Sequence, residues 1–166
     1  MKKALLSKAI PWLASSFAML VSHQSGAVAL QIEDYRAAQS LTCVALPTPT
    51  FSLSFIHSVS LTPVTDRYRI EQDSAGYRIV QTAEHFIAHG QGLPSMLGEP
   101  DAIAFEHKEG EFVLHMERPI PDLLVRTDAR FKNRLHTDNT TINLNQWSDN
   151  GLRIRPVSHC NTEQKL

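Results

Sequence analysis

Long apolar runs are scarce in this chain: after Val21 no segment approaches the roughly 18 to 20 residues that a membrane-spanning helix needs. Cysteine is almost as rare. Cys43 and Cys160 are too few for a disulfide-stapled mini-domain or for a cysteine-only metal site. Neither charge sign dominates, since 16 lysines and arginines face 17 aspartates and glutamates. Nucleic acid and anionic membrane surfaces both demand a concentrated basic patch, so neither is expected as the main partner. No sustained helical period follows Gln39, which argues against a helical bundle. No nucleotide fingerprint, complete metal-ligand set or catalytic triad stands out, and no cofactor or metal is expected.

What the chain does contain begins with a leader. Met1 to Lys8 carries Lys2, Lys3 and Lys8, Ala9 to Val21 is mostly apolar, and Ala27-Val28-Ala29 supplies a small-x-small cleavage signal. This order reads as a secretory signal peptide over residues 1–29, with an uncleaved anchor as the alternative. Residues 30–166 then form one domain of ordinary size with a core of its own. Without the three leader lysines it holds 13 basic residues against 17 acidic ones, a balance of about -4. The expected product is a periplasmic or secreted monomer. In such an oxidising compartment Cys43 and Cys160 are expected to pair, tying a first strand at Leu41 to Leu46 to the tail after the last strand. On the chain-entropy model that closure contributes about 4 kcal/mol, less any strain. Two free thiols are the alternative.

Period-2 alternation dominates the middle of the chain. In Phe51 to Val59 the odd positions Phe51, Leu53, Phe55, His57 and Val59 share one face, and in Val64 to Ile70 the even positions Val64, Asp66, Tyr68 and Ile70 do the same. His57 and Asp66 are thus polar intruders on apolar faces. A tight connection, read as Leu61-Thr62 or as Ser60 to Pro63, sets His57 opposite Asp66, Phe55 opposite Tyr68 and Leu53 opposite Ile70. That register lets an imidazole satisfy a carboxylate that burial would otherwise protonate. The pair is expected either to specify register or to face a ligand.

Gln31 to Gln39 reads as a short helix or a loose arm. Tyr77 to about Ala88 continues the hairpin as a third strand after the turn Asp73-Ser-Ala-Gly76. Glu84, His85 and His89 invite a metal reading, but a third ligand and the zinc-protease order are both missing. Gly90-Gln-Gly92-Leu93-Pro94 specifies a tight, backbone-exposed turn that permits close approach of a neighbour or an anion, and Ser95 to Pro100 prolongs it as a rim. Further short strands follow at Ala102 to Glu106, Glu111 to Glu117, Leu123 to Thr127, Thr141 to Leu144 and Leu152 to Val157. About eight strands with frequent turns indicate an all-β domain, a small antiparallel sandwich or a partly open barrel. Arg67, Arg69, Arg126, Arg130, Lys132 and Arg134 offer a local anion site, although solvated strand faces explain them more simply.

Three blocks carry a family resemblance: Phe51-x-Leu-x-Phe-Ile-His57-Ser58-Val59, then Thr62-Pro63-Val64-x-Asp66-x-Tyr68, then Phe86-x-x-x-Gly90-x-Gly92-Leu93-Pro94. Over roughly Cys43 to Val157 the chain resembles the bacterial and archaeal domain of unknown function 1850. The family pattern has glutamate where Asp66 stands and alanine where Gln91 stands, so the carboxylate here has a shorter reach. The resemblance implies a small exported or membrane-tethered domain, often encoded beside tripartite transporters that import organic acids. It marks His57, Ser58, Thr62, Pro63, Asp66, Gly90, Gly92, Leu93 and Pro94 as the cluster to inspect.

Two functions of different class follow. The first is an accessory or ligand-binding module of the cell envelope, taking a small organic acid or a transporter protein at the hairpin and the glycine loop. The second is a hydrolase-like enzyme in which Asp66 orients His57 as general base. Ser58 lies on the opposite strand face, so Thr62 or Ser95 would have to supply the nucleophile.

Overall fold

The computed structural model describes residues 28–88, 93–94 and 99–160. Within them run eleven strands: β1 (Val28–Asp34), β2 (Gln39–Leu46), β3 (Thr50–Ile56), β4 (Pro63–Asp73), β5 (Gly76–Phe86), β6 (Ala102–Lys108), β7 (Glu111–Ile120), β8 (Leu123–Arg126), β9 (Arg134–His136), β10 (Thr141–Asn143) and β11 (Gly151–Val157). They form two antiparallel sheets, one ordered β2-β1-β11-β8 and the other β10-β9-β3-β4-β5-β7-β6. The two sheets do not close on each other, so the architecture is a sandwich and not a barrel. No helix among the described residues is long and apolar enough to cross a membrane.

The segment expected as a helix or loose arm is the strand β1 and the turn after it. Leu30 and Ile32 are fully buried, while Gln31 and Glu33 between them are half-buried, the alternation of a strand. Asp34 ends it by accepting the backbone N–H groups of Arg36 and Ala37 at 2.9 and 2.8 Å, an Asx-type turn that sends the chain back as β2. β1 sits between β2 and β11. Its first residues, Val28 and Ala29, are buried and pair with Leu46, Ala45 and Val157. Cys43 on β2 and Cys160 just beyond β11 are joined as a disulfide with Cα atoms 5.6 Å apart, so the bond clasps the two flanks of β1.

Two apolar clusters result. The larger lies between the sheets and gathers Leu30, Ile32, Leu152 and Ile154 from one with Phe51, Leu53, Tyr68, Ile70, Ile79 and Leu135 from the other. The smaller consists of Val64, Phe86 and Leu93, flanked by Phe55, Phe105 and Phe112. The seven-stranded sheet is wider than the sheet it faces, and in this second cluster Leu93, which lies in neither sheet, packs on Val64 of β4 and Phe86 of β5.

The hairpin of β3 and β4 forms, but in another register. Leu53 lies opposite Asp66, Phe55 opposite Val64 and Phe51 opposite Tyr68. The reason is the connection: β3 stops at Ile56, and residues 57–62 make a wide loop closed by the His57 N–H on the Thr62 carbonyl (2.9 Å) and the Leu61 N–H on the His57 carbonyl (2.9 Å). The slip is by an even number of residues, so within the strands the inward faces are those expected while every cross-strand partner changes; His57 and Val59, expected on the inward face, fall in the loop instead, and Val59 is exposed. Phe51 now stacks on Tyr68, ring centroids 4.9 Å apart.

Candidate functional site

Directly opposed residues in neighbouring strands share a face. Reading one row across the larger sheet gives Leu135, Leu53, Asp66, Glu84, Leu114 and Phe105. Two carboxylates therefore stand side by side in a row that is otherwise apolar. The mate of Asp66 on its own face is Glu84, not His57. Glu84 reaches this face because β5 carries a bulge between Gln81 and Ala83, which moves the inward set from Ile79 and Gln81 to Glu84 and Phe86.

Asp66 Oδ2 accepts a hydrogen bond from the Tyr68 hydroxyl at 3.1 Å. Its Oδ1 is buried and has no hydrogen-bond partner among the described residues. Burial pushes the Asp66 carboxyl up to about 6, and the Tyr68 hydroxyl, the Gln81 amide and the Arg118 guanidinium pull it only partway back. Glu84 rises to about 7, first through burial and then through the charge of Asp66, which ionises before it. Burial and the same carboxylate hold Tyr68 well above its ordinary range, so it remains a donor. Arg118, on β7 opposite Gln81, is drawn towards Glu99 (3.6 Å), Asp101 (3.8 Å) and the Pro100 carbonyl (3.2 Å). It stabilises the pair at a distance without bonding to either member.

A cavity of about 240 Å³ opens beside Asp66, walled by Leu53, Phe55 and Tyr68 of the larger sheet, by all four residues of β8, and by Asn133, Arg134 and Leu144. β8 is an edge strand, paired only with β11 among the described strands. Consecutive residues lining the cavity mean that its free main-chain edge faces it. A wider recess of about 580 Å³ adjoins it, lined by His57, Ser58, Thr127, Arg130 and Phe131; Phe55, Arg126 and Asn133 belong to both.

His57 thus lies in the recess and Asp66 in the cavity. Four residues of β3 direction separate Leu53, the partner of Asp66, from His57, about 13 Å at strand rise. His57 Nδ1 accepts the Ser60 backbone N–H at 3.2 Å and lies 3.1 Å from Ser60 Oγ, which in turn meets Thr62 Oγ1 at 2.7 Å. Because Nδ1 accepts a main-chain hydrogen, the neutral ring carries its proton on Nε2. The geometry required for Asp66 to orient His57 is not formed. Ser58 is exposed, Pro63 is exposed at the start of β4, and Thr62 is half-buried in the loop network. Leu93 and Pro94 are buried, with Leu93 packed on Val64 and Phe86. Gly90, Gly92 and Ser95 lie outside the described residues, as does His89 of the metal reading. Glu84 and His85 occupy opposite faces of β5, His85 lying 3.4 Å from Glu111, and no group of three or more metal-ligating side chains occurs among the described residues.

The basic side chains separate by what they already hold. Arg69 is bound to Glu71 and Glu117, Arg130 to Asp128, and Arg134 to the Asn133 carbonyl and the side chains of Asn143 and Asn145. Arg126 makes no hydrogen bond or ion pair among the described residues, and Asp128, its near neighbour in sequence, is taken by Arg130. Glu84 and Arg118 were not legible as site members: the bulge hides the parity of the first, and tertiary folding alone brings the second to the carboxylates. No curated protein and no solved structure matches the chain. One family model does, over residues 51–144, more than half of the sequence and the span that holds Asp66, Glu84, Arg118 and Arg126. By that match the chain belongs to the family described as Domain of unknown function (DUF1850).

Proposed function

We propose that the chain is an exported binding module of the cell envelope that holds a small organic acid in the cleft between β8 and the hairpin of β3 and β4. The observation that carries this reading is Arg126, a guanidinium that forms no hydrogen bond or ion pair among the described residues, Asp128 reaching it only through its charge, at the junction of two concave surfaces. A guanidinium offers a planar fork of donors matched to a carboxylate. The free edge of β8 adds main-chain donors, and Leu53, Phe55, Val125 and Leu144 supply an apolar wall, the mix of a few polar groups on an apolar lining that ligand sites share. At about 240 Å³ the cavity lies below the roughly 300–1,000 Å³ of drug-sized sites, which fits a metabolite-sized guest. The disulfide suits an oxidising compartment. Association with a tripartite organic-acid transporter rests on family resemblance and is analogy.

A ligand that binds only the folded form raises the melting temperature. Thermal melts of the purified protein with a panel of organic acids should give shifts that Arg126→Ala abolishes. No shift with any acid, or shifts that survive Arg126→Ala unchanged, would overturn the reading.

A further inference from the structure

We propose that the guest of this cleft is a zwitterion, a small apolar amino acid whose carboxylate meets Arg126 and whose ammonium group meets Asp66. This rests on the organic-acid reading and sharpens it. Asp66 lines the cavity from β4 of the larger sheet, and Arg126 lines it from β8 of the smaller one, where the cavity adjoins the recess. One oxygen of Asp66 has the Tyr68 hydroxyl; the other is buried and makes no full hydrogen bond among the described residues, the nearby Gln81 amide satisfying it only in part. Buried acceptors are almost always satisfied, so an orphan beside a cavity asks for a donor from outside the fold.

The charges around Asp66 select the kind of donor. Glu84 stands next to it on β5, a second carboxylate on the same face. Arg118 on β7, whose charge acts on both, is engaged by Glu99, Asp101 and a carbonyl. Tyr68 on β4 and Gln81 on β5 are neutral, Arg134 on β9 is committed to the asparagines, and the open guanidinium belongs to Arg126 on β8. Two neighbouring carboxylates favour a donor that carries positive charge over a hydroxyl. Opposite charges contributed to one cavity by the two sheets then fix the orientation of the guest, and Leu53, Phe55, Val125 and Leu144 receive its side chain.

Calorimetric titration at pH 7.5 with leucine, its 2-hydroxy analogue, 4-methylpentanoate and 3-methylbutylamine separates the contributions, since the four share a branched tail and differ in the end groups. Leucine should bind at least about tenfold tighter than 4-methylpentanoate, as a charge-assisted hydrogen bond provides, with the hydroxy acid between them. The isosteric Asp66→Asn should erase that preference; wild-type ligand ranking alone decides the matter if the variant misfolds. Equal affinity for leucine and 4-methylpentanoate would overturn this inference and leave the organic-acid reading standing. Tighter binding of the amine than of either acid, or no binding of any of the four, would overturn both.

Discussion

Replacing Asp66 by asparagine should stabilise the protein by about 3 kcal/mol at pH 8 and by only about 1 kcal/mol at pH 4.5. The carboxyl is raised from an ordinary 3.8 to about 6 by burial. Its folded value lies above its unfolded one, so between about pH 4 and pH 6 the native state binds more protons, and the stability associated with the neutral form is lost as the pH climbs through that window. At about 1.4 kcal/mol per tenfold change, keeping the charge in place above pH 7 costs about 3 kcal/mol. Asparagine has the same shape and no charge, so it removes the whole cost at pH 8 but only about a third of it at pH 4.5, where folded Asp66 is protonated while the unfolded chain is already largely ionised there. Glu84, raised to about 7 partly by the Asp66 charge, should ionise at lower pH in the variant. Denaturant unfolding of both proteins across pH 4.5 to 8 measures the difference directly. A stability gap between them that stays constant over that range would refute the burial of a titrating carboxylate at this position.

Other perturbations test the scaffold. Reducing the Cys43–Cys160 bond, or replacing both residues by alanine, should lower unfolding free energy by about 4 kcal/mol, read as an earlier denaturant midpoint. His57→Ala should cost less than about 1 kcal/mol in the same assay because the ring serves a local loop network; a loss of 3–5 kcal/mol would mean that it neutralises a buried charge after all. A chain starting at Leu30 should be less stable than one starting at Val28 by about 2 kcal/mol, since Val28 and Ala29 are buried strand residues, and intact mass of the protein purified after expression of the full sequence should place its N-terminus at or before Val28.

Alternation told which side chains face inward in Phe51 to Phe55 and Val64 to Ile70, because a period of two depends on the backbone alone, but it ran on past Ile56, where the strand ends and Val59 is exposed. It could not tell which residue meets which. That depends on the length of the connection, and Ser60 and Thr62 build a six-residue loop by bonding to each other and to His57, a closure no turn motif announces. Strand β1 was hidden by its position against the expected cleavage point, although Leu30 and Ile32 alternate with Gln31 and Glu33. Strand β9 is only three residues long, too short for any periodicity, yet it places the fully buried Leu135 beside Leu53. The cysteine pairing was readable because two thiols in one chain have a single choice of partner. The carboxylate pair was not, for a bulge near Gln81 reverses the parity on which the strand reading rests.

The placing of β1 between β2 and β11 governs the order in which the molecule can assemble. The earliest described strand has one neighbour that follows at once and another that is made last, so the smaller sheet stays half-built until Gly151 to Val157 has been synthesised. Contacts this distant along the chain slow folding and favour a late, concerted closure. A nascent chain of this design remains pliable for nearly its whole length, the condition under which it can still be threaded elsewhere before it sets.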